Sequence, residues 1–465
     1  MKKRTAFIGA ILSLIPLGQP LFIKTGVVLS TTGIIISHTE TVFAKSQEFY
    51  FDRGKSKQET NDYEGSIEDF TKAIELNPKD GDAYYYRGYS KFKIEDYQGS
   101  IDDFTKTIKL NPKDAGAYYF RGISKRKIEK YKESIRDFTK AIELLPEDGD
   151  AYYFRGKSKK DTEDYKSAIE DFTKAIELNP KDGNAYYFRG YSKFKIEDDT
   201  GSIEDFTKAI NINPKDPGAY YYRGSSKGNL EDYQGAIDDY TKVIELNPKD
   251  VDAYYYRGYS KFNSQDYQGS IEDFTKTINI NPKYNRAYYY RGSSKGNLGD
   301  YQGSIIDYTK VIKLDPNDPY AYYYRGYSKF NSQDYQGSIE DFTKTIKLKP
   351  KYKNAYYYRG LSKYKSEDYQ PAIRDFSKFI KLNPKDANAY FYRGKSKGAL
   401  EDFKKAISDF TKAIKLNPKD SEAYFLRGIS KDKLGDKIGS CIDGKQALSL
   451  GLKGKDKEWV EENCS

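Results

Sequence analysis

Residues 81–112 read GDAYYYRGYSKFKIEDYQGSIDDFTKTIKLNP. The stretch holds two helical patterns and a stop. The first runs from about Asp82 to Ile94. Asp96 is placed to cap a second, which continues to Leu110 until Asn111-Pro112 ends it. Tyr84, Phe104 and Ile108 supply apolar bulk for the contact between the two helices, Pro112 supplies the stop, and the small residues Gly88 and Ser100 let the two backbones approach closely. The stretch therefore predicts an antiparallel helical hairpin.

The same pattern fills most of the 465-residue chain. Arg-Gly recurs from Arg53-Gly54 to Arg427-Gly428 at a fixed spacing of 34 residues, in twelve units that begin at 47, 81, 115, 149, 183, 217, 251, 285, 319, 353, 387 and 421. With the first residue of each unit as position 1, Tyr holds position 4, Arg position 7, Gly position 8, Lys position 11 and Asp position 23 in all twelve. Position 20 is Ser or Ala, as in Ala168 and Ala406, and the capping Asp is missing only where Lys130 stands. A unit of this length cannot bury its own apolar face and must stack on its neighbours, so one repeat array is expected rather than several globular domains.

These residues resemble the tetratricopeptide repeat family over 47–454. The family signature is Trp-x2-Leu-Gly-x2-Tyr, Ala-x3-Phe and Pro; here it reads Tyr-x2-Arg-Gly-x2-Lys, Ser or Ala-x3-Phe or Tyr, and Pro. The resemblance, to an exported bacterial type, implies an all-α, right-handed superhelical solenoid of antiparallel helix pairs. It also implies a concave groove lined mainly by the first helix of each pair, helix A, in which partner polypeptides are held. Some members grip a terminal carboxylate with Lys at position 5 and Asn at position 9, a pairing this chain does not have.

The departure at position 7 carries its own physics. Arg87 with Asp103, and Arg257 with Asp273, are expected to tie helix A to helix B, because the planar guanidinium bridges a carboxylate with two hydrogen bonds. Lys91 and Lys261 at position 11 reach for the same acids.

At 100° per residue, helix A positions 2, 5, 9, 12 and 13 share an arc distinct from positions 4, 8 and 11. The first arc carries rings. Position 5 supplies Tyr85, Tyr119, Tyr153, Tyr187, Tyr221, Tyr255, Tyr289, Tyr323 and Tyr357; position 9 supplies Tyr89, Tyr191, Tyr259 and Tyr327; position 12 supplies Phe92, Phe194, Phe262 and Phe330. Such a stripe suits a peptide ligand, since Tyr and Phe give large contact area at small conformational cost. The alternative is that the position-5 rings pack between adjacent A helices.

Residues 1–44 stand outside the period. A basic start, the apolar run Ala6–Leu17 and Val42-Phe43-Ala44 read as a signal peptide for export, to the periplasm or cell envelope; the rival is a membrane anchor over residues 6–36. At the other end, Cys441 and Cys464 are the only cysteines and are expected to form a disulfide, consistent with an oxidising compartment. Residues 453–465, with Trp459, are expected to cap the last hairpin.

Composition narrows the function. The only histidine is His38, two cysteines cannot complete a zinc site, and no Gly-rich phosphate loop is present, so no enzyme activity and no cofactor are expected. Net charge is +10, dispersed as Lys alternating with Asp and Glu, which disfavours nucleic acid. The expected activity is that of a protein-binding scaffold, with membrane contact only through an uncleaved N-terminal segment. RNA-binding by the helical repeat, and self-association as an architectural envelope protein, are the alternatives.

Overall fold

The computed structural model describes residues 46–464, so the proposed signal or anchor at 1–44 lies outside the described residues. Among the described residues twenty-five helices follow one another with no strand, and none is long and apolar enough to cross a membrane. Two compact units divide between Glu163 and Asp164, inside the fourth repeat.

Each repeat folds as helix A, a short turn and helix B. In the second repeat they span Gly81–Lys93 and Tyr97–Leu110. Asp96 accepts a hydrogen bond from the Gly99 N–H and caps helix B, and Lys130, the exception at this position, makes no side-chain cap. Helix A has its own cap at position 34 of the preceding repeat: Asp80 accepts from the Asp82 and Ala83 N–H groups. Tyr284 and Tyr352 stand at that position without a side-chain cap. Between the helices, position 15 adopts a left-handed backbone, as at Glu231 (φ 62°), Gln265 (φ 66°) and Gly299 (φ 81°).

Packing follows the repeat. Within each unit, helix A lies against the helix B of its own hairpin and against the preceding one, and consecutive A helices approach one another more closely than consecutive B helices do. The position-24 ring fills the hairpin centre: Phe104, Phe274 and Phe342 are fully buried, each worth about 1.5–3 kcal/mol by transfer from water. From the second repeat onward position 3 is a fully buried Ala, as in Ala83 and Ala253. At Gly258 a Cβ would sit 3.0 Å from the Asp273 Cβ and 3.2 Å from the Phe274 ring, so the close approach of the two helices requires glycine. Successive hairpins are also stitched by buried hydroxyls, such as Ser100 and Ser124 at 3.0 Å and Ser270 and Ser294 at 3.0 Å.

The Arg at position 7 and Asp at position 23 meet in bidentate pairs. Arg87 donates from Nε to Asp103 Oδ2 at 2.9 Å and from Nη2 to Oδ1 at 2.7 Å; Arg257 does the same to Asp273 at 2.9 and 2.6 Å. Lys91 and Lys261 join the same carboxylates at 2.8 and 2.9 Å. A third bond leaves the hairpin. Arg87 Nη1 donates to Thr71 Oγ1, and Arg257 Nη1 to Thr241 Oγ1, both at 3.1 Å, so each guanidinium also ties its hairpin to the one before.

The C-terminal end departs from the repeat. Gly444 replaces the position-24 ring, and a Cβ there would lie 2.9 Å from Val460 Cγ1, so a final helix, Lys455–Asn463, presses into the space the missing ring leaves. Trp459 packs edge-on to Phe425 at 5.9 Å, and Cys441 is disulfide-bonded to Cys464.

Candidate functional site

The ring-bearing face of helix A separates into an enclosed layer and a surface layer. Position 5 belongs to the first. Tyr153, Tyr255 and Tyr323 are buried, at 6, 4 and 6% exposure. Tyr85, Tyr119, Tyr187, Tyr221, Tyr289 and Tyr357 are partly buried. Tyr85 lies edge-on to Phe104 at 5.4 Å and to Phe120 of the next hairpin at 6.1 Å; Tyr289 does the same to Tyr308 and Tyr324 at 5.5 and 5.7 Å. Burial pushes the hydroxyls of Tyr85, Tyr255, Tyr289 and Tyr323 well above the ordinary tyrosine range. Position 5 was expected to line a groove, with packing between adjacent A helices as the alternative; these rings pack in the joint between hairpins, three of them buried and six partly buried, because helix A is covered by the next hairpin as well as by its own partner.

The ring that organises the joint is at position 6. Phe120 stacks on Phe104 at 5.8 Å, and Tyr290 stacks on Phe274 at 5.9 Å. Position 9 and position 12 of the preceding hairpin then lean on it from outside: Tyr89 and Phe92 meet Phe120 at 5.3 and 6.0 Å, Tyr259 and Phe262 meet Tyr290 at 5.1 and 5.5 Å. Tyr191 and Phe194 meet Tyr222 at 5.1 and 5.6 Å; Tyr327 and Phe330 meet Tyr358 at 5.1 and 5.9 Å. These eight rings keep partial exposure, reaching 37% at Tyr327. They form the surface layer.

In the second compact unit that layer alternates. Tyr259 with Phe262 lies between hairpins that carry Ser225 with Gly228 and Ser293 with Gly296 at the same positions, and Tyr327 with Phe330 lies between Ser293 with Gly296 and Leu361 with Tyr364. The Tyr259 and Phe262 pair thus projects between small side chains, while Asn263 and Asn331 bond back to the Tyr259 and Tyr327 carbonyls at 3.0 and 2.9 Å. Rings anchored at one edge and open at the other can take up apolar side chains without reorganising, which is what a preformed polypeptide-binding surface needs.

Family models described as tetratricopeptide repeat or TPR repeat match residues 50–94, 115–148, 149–182, 183–216, 217–250, 297–332, 354–386 and 387–420, together more than half of the chain. The chain belongs to the tetratricopeptide repeat family. Among solved structures, YrrB, described as a TPR protein with an unusual peptide-binding site, is 26% identical, with 40% of this chain and 95% of that chain covered and a TM-score of 0.38. The C-terminal part of a TPR repeat-containing protein from Cytophaga hutchinsonii is 20% identical over 51% of this chain and 97% of its own, with a TM-score of 0.46. The Cut9 and Hcn1 hetero-tetramer of the APC/C gives 12% identity over 93% and 99%, with a TM-score of 0.39. No curated protein matches the chain.

Proposed function

We propose that this tetratricopeptide repeat protein is a non-catalytic scaffold that holds a partner polypeptide on its A-helix face and works in the cell envelope after export. The observation that carries the reading is the surface layer of rings, Tyr89, Phe92, Tyr191, Phe194, Tyr259, Phe262, Tyr327 and Phe330, each supported from beneath by a buried joint and open to solvent on one edge. Aromatic anchors on a rigid base are the residues that dominate binding energy at protein interfaces. The Cys441–Cys464 disulfide supports an oxidising compartment. Export agrees with the basic start and apolar run of residues 1–44.

The test places a photo-crosslinking amino acid at position 12 (Phe262 or Phe330) and, separately, on the opposite helix B face at Glu272. The reading requires one polypeptide to be trapped from position 12 and lost when Tyr259 and Tyr327 are changed to Ser. Trapping from Glu272 alone would reverse it.

A further inference from the structure

Charge is unevenly placed along the array. Residues 46–318 carry 44 Lys and Arg against 49 Asp and Glu, whereas residues 319–420 carry 22 against 11. Part of that excess stands on the outer side of helix B, at positions 18, 22, 26 and 29, which share one arc of the helix. Each of the first seven hairpins has at least one Asp or Glu at these positions. In the third, fourth and sixth, Lys140, Lys174 and Lys242 pair with Glu143, Glu177 and Glu245 at 2.8, 2.9 and 2.7 Å.

The last three hairpins differ. Their B helices, Tyr369–Leu382, Phe403–Leu416 and Lys437–Ser449, have no acid on the arc. It carries Arg374, Lys378, Lys381, Lys404, Lys412 and Lys415, all exposed, with Lys381 and Lys415 standing where the paired glutamates stand elsewhere. The twelfth hairpin continues the arc with Ile438 and Ile442, one turn apart and 79 and 64% exposed. They are the most exposed large apolar side chains among the described residues, at positions that are polar in the first seven hairpins. Lys437, paired with Asp432 at 2.5 Å, and Lys445 flank them.

The hairpins themselves gain little from this. Lys381 and Lys415 suit the carboxyl ends of their helices, but Lys404 and Lys437 lie in first turns, where a cation opposes the helix dipole. Isoleucines left in water contribute no burial.

We propose that this face docks on an anionic lipid surface, with the cations on headgroup phosphates and Ile438 and Ile442 entering the boundary of the acyl chains. Protein interfaces are depleted of Lys and enriched in rings, and single-stranded nucleic acid stacks on rings; this arc is rich in Lys and holds no ring. The contact is peripheral, since no described helix is long and apolar enough to cross a membrane. It lies within the second compact unit, uses nothing from residues 1–44 and leaves the rings of helix A free, so it does not depend on the scaffold reading.

The test uses the full chain with a dansyl-bearing amino acid in place of Ile438, which makes the readout local. Vesicles of phosphatidylcholine with about 30% phosphatidylglycerol are expected to shift its emission to the blue, and phosphatidylcholine alone to leave it unchanged. The same probe at Glu272, on helix B of the seventh hairpin, should not shift. Replacing Lys404, Lys412 and Lys415 together by Gln should raise the lipid concentration at half-shift by about a hundredfold, and Ile442→Gln by about tenfold, with circular dichroism unchanged.

No shift on anionic vesicles, an equal shift on neutral ones, an unchanged midpoint in either variant, or an equal shift from soluble polyphosphate or an acidic peptide would each overturn the proposal. Crosslinking from Phe262 and Phe330 reads the ring-bearing face of helix A. The two readings therefore survive or fail separately.

Discussion

Replacing Arg257 by Ala removes two charge-assisted bonds from a carboxylate that is 2% exposed, together with the Nη1 bond to Thr241 in the preceding hairpin. Asp273 keeps only Lys261, at 2.9 Å. Charge-assisted bonds contribute about 1.5–3 kcal/mol each, and breaking one side of a buried pair costs about 3–5 kcal/mol, so a loss near 3 kcal/mol is expected with one cation remaining. In a repeat array that loss stays local, since each hairpin touches only its neighbours. The informative assay is hydrogen exchange followed by mass spectrometry. Protection should fall by about a hundredfold across residues 217–284 and hold elsewhere. The Arg257→Met, Asp273→Leu double variant should recover about 2 kcal/mol relative to the sum of the single changes, because neither buried charge is then left alone. Unchanged protection in Arg257→Ala, or strict additivity in the double variant, would refute the pairing argument.

Gly258→Ala should cost about 1–3 kcal/mol in a chemical denaturation curve, since its Cβ has no room before Asp273 and Phe274. Alkaline titration followed by circular dichroism should show stability lost as pH rises above about 10. Buried hydroxyls such as Tyr289, Tyr308 and Tyr323 titrate above the unfolded tyrosine value, so their contribution is complete below it and disappears as the unfolded chain sheds protons. Reducing Cys441–Cys464 should free the nine-residue end helix, whose start carries no side-chain cap, and raise exchange in residues 455–463 while the hairpins before it stay protected.

Most of the hairpin was legible because each mark has a local cause. Asp96 before a helix, Gly88 opposite Phe104 and Pro112 after Leu110 mean the same thing whatever surrounds them. The candidate site was less legible. A helical-wheel argument gives helix A one buried stripe, but helix A is covered by its own helix B, by the preceding helix B and by the next helix A. Tyr85 and Tyr255 therefore fall inside a joint that a single-helix reading sees as surface. The signal for the joint was nevertheless present. Position 6 is Tyr or Phe from Tyr86 to Tyr392 and becomes Asp52 in the first repeat, where no hairpin of the array precedes it. Thr241 as the third partner of Arg257 was not legible, because nothing local links residues of different hairpins.

The central claim is that the open rings of the A-helix face are where another polypeptide sits. Crosslinking from Phe262, repeated in a chain with Tyr259→Ser and Tyr327→Ser, tests it most directly. The account predicts one trapped polypeptide whose yield falls at least about tenfold in the substituted chain while the fold, read by circular dichroism, is unchanged. Undiminished trapping in that folded chain would contradict it.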